Sequence, residues 1–165
     1  MWTPLHSAAR EGALEFFQML VACVDVKNPA DSLGWTPLHL AARHGHLEVC
    51  RLLMSQTPPS GSPYFDQPTR QFGFTPLHYA AKDGHVQVCQ LILAQVRDKN
   101  PEAIGGWTPL HSAADNGHLE VCRLIVSLLT RNKNPADDEG ETPMDRAALG
   151  GHKAIVDFLK SSMNT

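Results

Sequence analysis

The sequence predicts an all-α solenoid of stacked antiparallel helix pairs, and three observations carry that prediction. A phrase built on Thr-Pro recurs five times: Trp2-Thr3-Pro4-Leu5-His6, Trp35-Thr36-Pro37-Leu38-His39, Phe74-Thr75-Pro76-Leu77-His78, Trp107-Thr108-Pro109-Leu110-His111 and a drifted Glu141-Thr142-Pro143-Met144-Asp145. Its threonines are spaced by 33, 39, 33 and 34 residues. Each phrase leads to a pair of alanines, then to a glycine, then to a segment whose apolar residues recur at helical spacing.

The first helix of each unit begins at the Thr-Pro step. Threonine accepts hydrogen bonds from the free amides of a helix start, and proline belongs at the first helical position. The alanine pairs, from Ala8-Ala9 to Ala147-Ala148, are small enough to let neighbouring helices approach closely. Gly12, Gly45, Gly84, Gly117 and Gly151 follow after about two helical turns, where a left-handed residue ends a short helix. The second helix is amphipathic, as in His46-Leu47-Glu48-Val49-Cys50-Arg51-Leu52-Leu53, with Glu48 and Arg51 facing out. Polar connectors containing Lys27-Asn28-Pro29, Lys99-Asn100-Pro101 and Lys133-Asn134-Pro135 turn the chain into the next unit. The chain reads as a single array over 1–165, with approximate repeats at 1–30, 31–69, 70–102, 103–136 and 137–165. The longer second spacing marks a loop insertion at 57–70.

Composition narrows the function. Fourteen basic and 17 acidic side chains give a net charge of -3, which offers no general attraction to nucleic acid or to anionic membranes. The apolar runs are far shorter than the ~20 residues that span a bilayer. Cys50, Cys89 and Cys122 occupy one repeat position, too far apart in a stack for disulfides, so reduced core thiols and a cytoplasmic or nuclear location are expected.

Thr-Pro-Leu-His, then Ala-Ala, then Gly-His, at a period of 33, resembles the ankyrin repeat, and the resemblance covers essentially the whole chain. It implies short antiparallel helix pairs with protruding hairpin-like loops, a concave face, and a non-catalytic role in binding a protein partner. One departure stands out: the usual Gly-Ala after the second helix is missing in every repeat, so the geometry of the loop ends is expected to differ. The resemblance also implies that the motif histidines bond to neighbouring backbone, and it makes Asn28, Asn100 and Asn134 possible hydroxylation sites, although turn formation is the commoner role there.

Eight of the nine histidines are thus repeat positions, and equivalents in successive repeats are too widely spaced to share zinc. No nucleophile, base and acid stand apart from the repeats, and no glycine-rich phosphate loop appears. No enzyme activity, cofactor or metal is expected. More informative are the positions where the repeats agree with one another without obvious structural need. Trp2, Trp35, Phe74 and Trp107 precede Thr-Pro, where the resemblance points the side chain toward the concave side; they either stiffen the loops, contact a partner, or do both. After the alanines come Arg10-Glu11, Arg43-His44, Lys82-Asp83, Asp115-Asn116 and Leu149-Gly150, whose first members run from basic to acidic to apolar. The candidate partner-binding face is therefore Trp35, Arg43, His44, Phe74, Tyr79, Lys82, Trp107 and Asp115, on a monomeric array. A rigid architectural spacer within a larger protein is the alternative.

Overall fold

The computed structural model describes residues 1–56 and 65–163. Ten α-helices alternate between two rows, with no strand among the described residues. The inner row is α1 (Pro4–Glu11), α3 (Pro37–Arg43), α5 (Pro76–Lys82), α7 (Pro109–Asp115) and α9 (Pro143–Leu149). The outer row is α2 (Leu14–Cys23), α4 (Leu47–Ser55), α6 (Val86–Gln95), α8 (Leu119–Leu128) and α10 (Lys153–Ser162).

Ala41, Ala42, Ala80, Ala81, Ala113 and Ala114 are completely buried between successive inner helices. The outer helices bury longer side chains, among them Val49, Ile92, Ile125 and Leu159. The inner row therefore packs more closely than the outer row. That difference curves the stack, with the inner helices on the concave side. The second helices bury Cys50, Cys89 and Cys122 in the core, whereas Cys23 is exposed and all four thiols are free.

Each inner helix starts as its sequence predicts, but the threonine shares the task with the histidine three residues later. In α3 the Thr36 amide and hydroxyl both donate to Nδ1 of His39, at 3.2 and 2.9 Å. The same pair forms at His6, His78 and His111. An Nδ1 that accepts a backbone N–H carries no proton, so the proton sits on Nε2. That N–H donates forward to the next repeat: His6 to the Trp35 carbonyl, His39 to Phe74, His78 to Trp107 and His111 to Glu141, at 3.0–3.1 Å.

A second set of histidines reaches backward. His46, His85 and His118 join Nε2 to the carbonyls of Arg10, Arg43 and Lys82 at 2.9 Å, and His152 to that of Asp115 at 3.1 Å. This requires glycine in the preceding repeat for two reasons. Gly45 has φ of 74°, and a Cβ there would lie 2.5 Å from Nδ1 of His85. Two positions depart from the histidine columns: Ala13 stands where a backward histidine would be, and Asp145 takes the place of the forward one. Asp145 caps only its own helix, accepting from the Thr142 amide and hydroxyl at 2.9 and 2.6 Å.

The missing Gly-Ala is replaced by the connectors. Lys27 donates to the carbonyls of Val21 and Val24, and Lys99 to those of Leu93 and Val96, placing a cation at the negative ends of α2 and α6. The adjacent asparagine serves the following inner helix. Asn28, Asn100 and Asn134 accept from the amides of Leu38, Leu110 and Met144 at 3.0–3.1 Å. The protruding loops are closed turns, with backbone bonds from Asp31 to Trp35, Thr69 to Phe74, Ala103 to Trp107 and Asp137 to Glu141 at 2.7–2.9 Å. A 3-10 turn at Ile104–Gly106 forms the tip of one of them. Neighbouring loops are tied by single bonds from the amides of Arg70, Ile104 and Asp138 to the carbonyls of Leu33, Phe72 and Gly105, at 2.8–3.0 Å. In the insertion, Phe65 packs half-buried against the core, whereas Tyr64 lies outside the described residues.

Two predictions follow from the buried side chains. Burial holds the imidazoles of His39 and His78 well below the usual 6.5, at about 4, against the opposing pull of their carbonyl partners. The unfolded chain therefore takes up protons that the folded chain refuses between pH 6.5 and 4. Stability is complete above pH 6.5 and falls progressively down to about pH 4, by about 3 kcal/mol at most for each of these two residues. Urea unfolding across that range is expected to show the loss, and a flat profile would contradict it. Burial also pushes the Cys50, Cys89 and Cys122 thiols up to about 12. In native buffer a thiol reagent is expected to label Cys23 alone, with the other three reacting only after denaturation.

Candidate functional site

The concave surface is built by the exposed ends of the inner helices and by the loops that precede them. Arg43, His44, Lys82 and Asp115 are all exposed there. Trp35, Phe74 and Trp107 are half-buried at the loop bases, and Trp2 is 46% exposed. Tyr79 differs: it is only 6% exposed, so it supports the surface from beneath.

The aromatic column is not a continuous stack. Each member lies against the histidine of its own helix, at centroid distances of 5.1 Å for Trp2, 5.9 Å for Trp35, 4.9 Å for Phe74 and 5.2 Å for Trp107. The rings join across repeats at one place. Tyr79 packs against Trp35 at 4.4 Å and against Phe74 at 5.5 Å, and Phe72 joins Phe74 at 5.9 Å. Tyr79 can bridge because it occupies the column held elsewhere by Ser7, Leu40, Ser112 and Arg146. Where that residue is serine it serves its own loop: Trp2 Nε1 donates to Ser7 Oγ and Trp107 Nε1 to Ser112 Oγ, both at 2.8 Å.

Between repeats two and three these rings line an open groove of about 360 Å³, walled by Trp35, Phe72, Phe74 and Tyr79 and rimmed by Arg43, Lys82 and Asp83. The Arg43 guanidinium lies over the Trp35 ring at 5.7 Å. Burial, together with the charges of Arg43 and His46, lowers the pKa of His44, while Asp83 opposes the shift.

The charges along the face are managed differently at each end. Arg10 is paired with Glu11 at 2.8 Å. Arg146 stacks on Trp107 at 4.8 Å and meets Asp137 at 3.2 Å, Glu141 at 2.7 Å and Glu139 at 3.8 Å. The Glu141 contact is electrostatic, since its Nε and Oε2 atoms are not aligned as a hydrogen bond. Asp137 also accepts from the amides of Glu139 and Glu141 at 3.0 and 2.9 Å. Burial opposes its ionisation, but the Glu141 amide, the Arg146 guanidinium and the Glu139 amide outweigh burial and hold its carboxyl below the usual range. Among the described residues, neither Arg43 nor Lys82 has such an ion pair.

The loops add residues that helical periodicity does not reveal. Leu33, Phe72 and Ile104 are 52%, 50% and 67% exposed at the tips of successive loops, on backbone tied together by the bonds between loops. The available sequence signal is their place within two residues of the glycine that closes each turn, at Gly34, Gly73 and Gly106. Among the described residues no group of three side chains gathers as metal ligands, and no helix is long and apolar enough to cross a membrane.

Truncation separates support from surface. Trp107→Ala removes the platform beneath Arg146 and the partner of Ser112, and is expected to destabilise the fold by about 2 kcal/mol or more. Phe72→Ala, half in solvent, is expected to cost less than about 1 kcal/mol. Thermal melts of the two single variants check the contrast, and equal losses would refute it.

The family model described as ankyrin repeats (3 copies) matches residues 1–61, 60–132 and 99–165. No curated protein matches the chain.

Proposed function

Because the chain belongs to the ankyrin-repeat family, a family of protein-interaction modules, we propose that it binds a protein partner through its concave face. The groove between repeats two and three is the observation that carries the reading. It combines aromatic walls, an exposed Phe72 and, in Arg43, an arginine without an ion pair among the described residues, and aromatic and arginine side chains are the types enriched at interface centres. A specific interface occupies about 800 Å² on each partner, more than one groove provides. Leu33 and Ile104 on the neighbouring loop tips, with His44 and Asp115 on the inner helices, extend it in both directions. Trp35 and Phe74 serve two roles in this reading, stiffening the loops and offering their outer edges. The protein acts without catalysis, as a monomer, in the cytosol or nucleus, where its four free cysteines stay reduced.

A rigid spacer is the second reading, and the unbroken hydrogen bonding from repeat to repeat favours it. Affinity capture with the wild-type array and with Phe72→Ala/Lys82→Ala, both shown to melt alike, separates the two. A protein retained by the wild type and reduced about tenfold or more by the variant supports binding at the groove. Equal capture by both would overturn the groove as the binding site, and none by either would leave the spacer reading.

A further inference from the structure

We propose that the occupant of the groove is an extended segment of another protein that carries a bulky apolar side chain beside a single carboxylate. The inference rests on the binding role proposed for this face and specifies what the face selects.

The apolar half of the argument is shape and exposure. A volume of about 360 Å³ is at the small end of the ~300–1,000 Å³ typical of ligand pockets, and the groove is open along the face. It suits one large side chain of a chain lying across it. Trp35 and Phe74 flank that position, Tyr79 closes the floor, and half of Phe72 is left in solvent to cover an entering group.

The charged half comes from how the array treats its own cations. Arg10 and Arg146 are neutralised by neighbouring carboxylates, whereas Arg43 and Lys82, on adjacent repeats at the groove rim, have no such partner among the described residues. The Arg43 guanidinium lies over Trp35 and has no ion pair among the described residues, so its N–H groups are able to form paired bonds with a carboxylate. Asp83 shares the rim, so the three side chains leave one net positive charge. That matches one carboxylate and disfavours a dianionic phosphate. The exposed Asp115 and Asp138 on the following repeats disfavour a uniformly acidic segment.

The probe is a display library of random short linear peptides selected on the immobilised wild-type array, with affinities of the selected peptides measured by fluorescence polarisation. Selected peptides are expected to carry Trp, Phe, Leu or Met next to Asp or Glu, and to weaken about tenfold or more when that acid is changed to its amide. Arg43→Glu/Lys82→Glu is expected to lose these peptides and to prefer versions with lysine in place of the acid. If that variant does not fold, the amide substitution in the peptide decides alone. Peptides that depend on Phe72, by loss with Phe72→Ala, but tolerate the amide or prefer lysine, would overturn this inference and leave the groove as a binding site. Failure to select any peptide whose affinity depends on Phe72 would overturn the groove reading itself.

Discussion

The structure depends on neutral imidazole. An inner-helix histidine accepts at Nδ1 from the threonine that starts its own helix and donates from Nε2 to the next repeat, and only the uncharged ring can do both. Protonation would place an N–H against the Thr36 amide and put a charge in the alanine-lined seam. The same side chain thus caps a helix and sets the distance to its neighbour, so local structure and repeat stacking share one titratable group. The second histidine column works in the opposite direction, from the start of an outer helix to the preceding inner helix. Each junction is consequently held by two bonds of opposite sense, with the alanine pairs setting how close the helices come.

Much of this architecture was legible in the sequence. The Thr-Pro starts, alanine seams, glycine stops and amphipathic second helices each follow from residue type and spacing, and all appear at the expected places. The direction of the histidine bonds was not legible, because it depends on which carbonyl the neighbouring repeat presents. The missing Gly-Ala pointed to altered loop ends, yet the compensation by Lys27 and Lys99 required seeing their side chains fold back onto helix carbonyls. Lysine in a polar connector carries no spacing signal that distinguishes capping from solvation.

The candidate site was less legible than the fold. Residue type and column position brought Trp35, Arg43, Phe74 and Lys82 to one groove, but they did not reveal that Tyr79 lies beneath them. Tyr79 belongs to a column otherwise filled by Ser, Leu and Arg, and its ring is buried because it fills the space between two aromatic bases. Leu33, Phe72 and Ile104 escaped because loops have no periodicity; only the turn geometry puts them side by side. Charge position alone was also insufficient. Arg10, Arg43 and Lys82 share a column, yet Glu11 occupies the first while the other two stay available.

The uneven spacing of the repeats has a consequence for how such an array tolerates change. The 39-residue step keeps a forward bond from His39 of 3.1 Å and a backward bond from His85 of 2.9 Å, matching the 3.0 and 2.9 Å made by His6 and His46 across a 33-residue step. Register is therefore counted in histidine-to-carbonyl contacts and not in residues. Added chain between an outer helix and the following loop lies outside both contacts and does not disturb the stacking order. Sequence at that junction is free to lengthen without moving the histidine contacts, while the seam is held by one side chain at each position.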